Sequence, residues 1–99
     1  MKVFFAPRAL RDVDGILFHI SQSSPIGARN VSRAIDQAIE LCGLFPRTGG
    51  TTDVGNLYRR PLSSYPYTIF YRWAATDNIV EIVRVVHGAR VKNLRQLPN

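Results

Sequence analysis

The apolar positions change their period along the chain, and each change marks an element. Lys2 to Ala6 (KVFFA) is a short run rich in Val and Phe, which predicts a strand over residues 2–6. Pro7 breaks that run and suits the first turn of a helix, where its missing N–H costs little. Leu10, Val13, Ile16, Leu17 and Ile20 then recur at helical spacing and predict an amphipathic helix over 8–22. Arg11, Asp12 and Asp14 lie off this stripe, and Ala6 offers no side-chain acceptor as an N-cap. Ser24-Pro25 is a stronger start signal and predicts a second helix over 25–44. Its apolar face is Ala28, Val31, Ile35, Ala38, Ile39 and Cys42. With only Ser23-Ser24 between them, the two helices form an antiparallel hairpin. Gly43 and Pro46 end the second helix.

Residues 46–56 (PRTGGTTDVGN) have no period and are expected to form a loop. Beyond it the pattern is that of strands. LYRRPL predicts a strand over 57–62, with Pro61 marking an edge position or an early end. YTIFYRWA predicts a strand over 67–74, a turn comes next at ATDN, and IVEIVRVVH predicts a strand over 79–87. The last is nearly all β-branched, as in a strand buried on both faces. Residues 88–99 read as a basic tail. The order β-α-α-β-β-β gives one α+β domain over 1–99. In it the helical hairpin packs on one face of a mainly antiparallel sheet of about four strands, and the other face is left relatively open.

Charge adds a direction. The net charge is +6, and residues 57–99 hold seven of the thirteen Lys/Arg but only Asp77 and Glu81 of the acids. A basic C-terminal half suits an anionic partner, whether nucleic acid, an acidic protein segment or a phosphate-bearing substrate. The lone Cys42 allows no internal disulfide and fits a reducing cytoplasm. Cys42, His19 and His87 show no metal-ligand spacing, so no metal or other cofactor is expected. Nothing resembles a signal peptide, and no segment approaches the ~20 apolar residues of a membrane span.

Several residues carry two readings. Arg59 and Arg60 are adjacent in a strand and point to opposite faces, so they do not share a site. Tyr67, Ile69, Tyr71 and Trp73 share one face. They are core beneath the hairpin, with base stacking the less favoured alternative. Arg84 stands among Val80, Ile82 and Val86. It either presents a cation to an anionic target or forms an internal ion pair with Glu81 or an acid from a helix. His87 is either a partner contact or a strand-end histidine bonded to a carbonyl; the second is favoured because no orienting carboxylate is evident. Glu81 and His87 are an even number of residues apart, hence on one face, but about 20 Å apart at ~3.3 Å per residue. Leu94 and Leu97 in the tail either dock it onto the domain or belong to a partner surface. Cys42 reads as a small core residue.

Taken together, YTIFYRW…NIVEIVRVVHGAR, FPRTGG, LYRRPLSSYPYTIFY and PRALRDVDGILFHISQSSPIGA resemble, in order and spacing, the RelE/ParE superfamily of bacterial toxins. The resemblance covers essentially the whole chain. The H-G-A-R ending (His87 to Arg90) is closer to the ParE branch. The resemblance implies a toxin neutralised by a small acidic antitoxin in a hetero-oligomeric complex. It also implies one of two activities: poisoning of DNA gyrase, as in ParE-like members, or ribosome-dependent mRNA cleavage, as in RelE-like ones. A member that only binds its partner is the third possibility.

Cleavage of RNA through the 2′-hydroxyl needs a base, an acid and cations around one phosphate. His87, Arg84 and Arg60 are the candidates for it. The only lysines, Lys2 and Lys92, lie off the middle strands, and no Tyr comes after Tyr71. A gyrase-binding toxin is therefore the leading expectation. Its target-binding residues would be Arg59, Arg60, Arg72, Arg84, His87, Arg90, Lys92 and Arg95. Leu17, Ile20, Tyr71 and Trp73 would meet the antitoxin.

Overall fold

The computed structural model describes residues 1–88. The basic tail assigned to 88–99 therefore falls almost wholly outside the described residues. The chain runs β1 (Lys2–Phe5), α1 (Pro7–Ser21), α2 (Pro25–Leu44), a 3-10 turn (Pro46–Thr48), β2 (Gly50–Thr51), β3 (Tyr58–Pro61), β4 (Tyr67–Ala74) and β5 (Ile79–His87). The expected elements are present with ends shifted by a residue or so, the usual fraying of boundaries. Ala6 makes no side-chain cap on α1. Strand pairing sets the start of that helix instead, since the Ala6 N–H donates to the Ile82 carbonyl at 2.9 Å. Ser24 caps α2 as its sequence signal implies, accepting the Gly27 N–H at 2.8 Å.

The sheet has five strands in the order β1-β5-β4-β3-β2. β1 runs parallel to β5, and the other pairs are antiparallel. The expectation of about four strands missed β2, in which Gly50 and Thr51 pair with Arg59 and Tyr58. Two residues of edge backbone leave no hydrophobic alternation to read. Thr52 helps close the loop behind them: its hydroxyl donates to Leu57 O at 2.8 Å and accepts the Val54 N–H at 3.1 Å.

Both helices lie on one face of the sheet. Val31, Ile35, Ala38 and Cys42 of α2 and Ala9 of α1 pack on Ile69, Tyr71, Val80, Ile82 and Val85. Complete burial of a Val or Ile side chain contributes about 1.5–3 kcal/mol. Leu10, expected on the buried stripe of α1, is 51% exposed, while Ala9 beside it is fully buried. A stripe that begins on a small alanine carries little hydropathy signal. The opposite face of the sheet is not bare, because Leu57, Phe70 and Val83 form a second buried cluster there with Val54 and Val86 against it.

One irregularity reorganises β5. Phe70 pairs with Arg84 but Tyr71 pairs with Ile82, so Val83 is an extra residue, a β-bulge. Beyond it the alternation is reversed. Val80, Ile82 and Val85 join the helix-side core, whereas Val83 and Val86 join the other cluster. The parity that grouped Arg84 with Val80 and Ile82, and Glu81 with His87, does not hold across this bulge; Arg84 and Val86, both beyond it, stay on one face.

Candidate functional site

The two-faced reading of Arg84 resolves into an ion pair with a helix. Its Nε donates to Asp12 Oδ2 at 2.6 Å and its Nη2 to Asp12 Oδ1 at 3.0 Å. Asp12 Oδ2 also accepts the Val85 N–H at 3.0 Å. The two side chains are only 13% and 15% exposed. The hydrogen bond from Arg84 to Asp12 raises the guanidinium's already high pKa. Asp12 is the acid that the hydropathy stripe had left outside. Glu81 is not the partner; it faces Arg72 at 3.6 Å in an exposed pair.

Arg59 and Arg60 separate as expected. Arg59 is exposed, next to Gly50 across the β2–β3 pair. Arg60 turns to the helix side, where its Nη2 donates to Phe45 O at 3.2 Å and to Thr48 Oγ1 at 2.6 Å. Thr48 in turn donates to Phe45 O at 2.7 Å. Burial pushes the nearby Cys42 thiol up from its ordinary pKa, with Arg60 opposing that shift.

The segment Phe45–Gly50 forms a strap over the aromatic row. Tyr71 donates its phenol hydroxyl to Pro46 O at 2.8 Å. The Arg47 guanidinium sits 5.2 Å from the Trp73 ring centre. Tyr58 stacks on Tyr71 at 5.8 Å and lies 5.9 Å from Trp73. The row is core under a strap, and Tyr71 is fully buried. It presents no surface to an antitoxin in this structure, contrary to the expectation. Leu17, Ile20 and Trp73 are half-buried against the same core. The apolar side chains that α1, α2 and the strap do expose are Leu10, Phe18 and Ile26 on the hairpin and Leu41, Leu44 and Phe45 at the far end of α2. Sequence reasoning placed Leu10 on the buried stripe and left the other five off the helix stripes, where exposure is the ordinary outcome.

His87 lies on the helix side of β5, edge-on to Tyr67 with ring centres 5.7 Å apart. Arg60 pairs with Ile69, and Ile69 with Val85. Arg60 and His87 are therefore two strands and two residues apart, roughly 12 Å between Cα atoms at ~4.8 Å per strand and ~3.3 Å per residue. Arg84, His87 and Arg60 thus occupy separate settings on the sheet. Arg90, Lys92 and Arg95, with Leu94 and Leu97, lie outside the described residues.

The structure adds a groove that the sequence did not reveal. It has a volume of about 420 Å³ and lies between α2 and the β3–β4 turn, lined by Arg33, Gln37, Leu41, Arg60, Ser63 and Tyr65 among others, none of them acidic. Among the described residues no three His, Cys, Asp or Glu side chains come together to hold a metal ion. No described helix is long and apolar enough to cross a membrane.

Comparison with known proteins places this geometry. Residues 3–92 match the family model described as ParE toxin of type II toxin-antitoxin system, parDE. The chain is 32% identical over 92 residues to toxin RelE2 of Caulobacter vibrioides, covering 91% of this chain and 98% of that protein. Among solved structures it superposes on the chromosomal ParDE system from P. aeruginosa with a TM-score of 0.74 at 18% identity, covering 88% of this chain and 95% of the other. It also superposes on the isolated E. coli RelE toxin (TM-score 0.58, 15% identity, 92% and 87% covered). The toxin–antitoxin complex RelBE of E. coli gives a TM-score of 0.56 at 15% identity, with 85% and 92% covered. The α+β fold is that of these toxins, and the chain belongs to the ParE family of toxins of type II toxin–antitoxin systems, within the RelE/ParE superfamily.

Proposed function

We propose that the chain acts by binding DNA gyrase and blocking replication in the cytoplasm, and that a small acidic antitoxin holds it inactive in a hetero-oligomer. The observation that carries the gyrase reading is the dispersal of the nuclease candidates. Arg84 is committed to Asp12, and Arg60 to Phe45 and Thr48. His87 stands against Tyr67, two strands from Arg60. Proton transfer on RNA requires its groups around a single phosphate. Inhibition by binding has no such requirement and uses a charged surface. Arg59 and Arg72, His87 at the end of β5, and Arg90, Lys92 and Arg95 beyond it form the proposed target-binding set. The antitoxin reading is supported by the acid-free groove with Arg33 and Arg60, which adjoins the exposed Leu41. An amphipathic acidic segment matches that combination of charge and apolar surface.

The test is induction of the toxin alone in a bacterial host, paired with a supercoiling assay on purified gyrase. The expected result is DNA-damage signalling with intact transcripts, and loss of supercoiling in vitro. On this reading His87→Ala weakens growth arrest without abolishing it, since His87 is one contact among several. Cleaved transcripts without DNA damage, and a His87→Ala variant that is inert, would replace gyrase binding with ribosome-dependent mRNA cleavage.

A further inference from the structure

The Asp12 carboxylate does more than neutralise Arg84. β1 accompanies β5 only as far as the Phe5–Ile82 pair, where the Ala6 N–H donates to Ile82 O. Past that point no described strand flanks β5 on the β1 side. The Val85 N–H belongs to this unaccompanied stretch, and Asp12 Oδ2 takes it up. Both oxygens of the same carboxylate receive Arg84. All three hydrogen bonds fall immediately after Val83, the residue inserted by the bulge. A single side chain of α1 thus stands in for the missing strand and clamps the bulge.

Stability alone is a poor account of this arrangement. Replacing a buried ion pair by packed apolar side chains is often neutral or favourable. A bulge, by contrast, bends its strand and re-aims the residues beyond it, so its geometry has to be held. Among the described residues those are Val86, His87 and Gly88. We propose that Asp12 is a positioning residue, which through Arg84 and the Val85 amide sets the direction in which the end of β5 presents His87 to the toxin's target. This inference rests on the chain's toxic activity but not on which target it strikes.

The experiment compares the full chain with the double variant Asp12→Leu/Arg84→Met and the single variant Asp12→Asn. Three properties are read: thermal melting, residue-level amide hydrogen exchange, and growth arrest on induction at matched protein level. The double variant is expected to fold, because apolar side chains replace both charges. Its Val85 amide should exchange at least roughly tenfold faster, with α2 and β4 unchanged. Its growth arrest should be weakened. Asp12→Asn, which keeps the side-chain shape, should change in the same direction.

A folded variant with a deprotected Val85 amide and undiminished growth arrest would overturn the positioning role. So would a Val85 amide whose exchange does not change. If neither variant folds, the pair is a folding requirement and the proposal also falls. Wild-type protein that leaves growth untouched would overturn the toxic activity and this role with it. DNA damage or transcript cleavage in arrested cells bears on the proposed target alone.

Discussion

Tyr71 donates its phenol to the carbonyl of Pro46 at 2.8 Å and leaves space for nothing larger than hydrogen at Gly49, where a Cβ would collide with Tyr71 Oη. The strap is therefore held by a side chain of the central sheet. Arg60 on Thr48 and Arg47 on Trp73 secure it from either side. Gly49 is the final glycine of the Pro46-x-x-Gly49 segment, and the reason for a glycine there is proximity to the buried phenol.

Gly49→Ala should accordingly destabilise the protein by about 1–3 kcal/mol, since overpacking forces a shift of Tyr71 or of the strap. For a domain of this size each kcal/mol lowers the melting temperature by about 4–8 °C. Tyr71→Phe removes the nearest clashing atom and the hydrogen bond together, leaving ring Cζ 2.8 Å from the Cβ position. Alone it should cost about 1 kcal/mol. Combined with Gly49→Ala it should be less damaging than the two effects added. Additive melting shifts would show that the two residues do not act on one another.

Breaking the Asp12–Arg84 pair from one side should be worse than replacing it. Asp12→Ala leaves a guanidinium and the Val85 amide without the acceptor they share. The expected loss is about 3–5 kcal/mol, whereas Asp12→Leu/Arg84→Met, which leaves only the Val85 amide without an acceptor, should cost about 1–3 kcal/mol in denaturant unfolding. A single variant no worse than the double would remove the basis for calling this pair buried and coupled.

Ser24→Ala should cost about 1 kcal/mol and Ser24→Gly only a few tenths, because the hydroxyl satisfies the Gly27 amide at the start of α2. Urea melts of the two variants give the comparison directly. Equal losses would mean that the hydroxyl contributes nothing as a cap.

Burial raises the pKa of both the Cys42 thiol and the Tyr71 phenol. A group whose pKa is raised by folding stabilises the native state fully below its unfolded value and loses that contribution as pH rises through the folded value. The expected behaviour is constant stability from these groups at neutral pH and a decline from about pH 8.5 upward, the thiol first and the phenol near pH 10. Cys42, with no exposed surface, should react with a thiol reagent at the rate of unfolding rather than at that of a free cysteine. Labelling in native buffer as fast as in denaturant would contradict this burial.

The local elements are legible because their evidence is local. Val31, Ile35, Ala38 and Cys42 repeat at helical spacing and are buried, and Ser24-Pro25 is both a signal and a cap. Tyr67, Ile69, Tyr71 and Trp73 alternate onto one face and do pack there. The resemblance to the RelE/ParE toxins rests on the same stretches, which is why the family was readable from the chain and its matched residues 3–92 agree.

What only the tertiary structure decided lies between elements distant in sequence. β2 is two residues of backbone with no pattern of its own. The Val83 bulge exists only in the register between β4 and β5, and it reverses which face Arg84, Val86 and His87 occupy. Asp12 looked like a solvent-facing residue by its period. It becomes an internal acceptor because α1 passes over β5 where β1 has ended, seventy-two residues from Arg84. Periodicity reports how a segment meets an apolar surface. It carries no record of which charged or backbone group on another element will need a partner, and that is settled only when the elements are brought together.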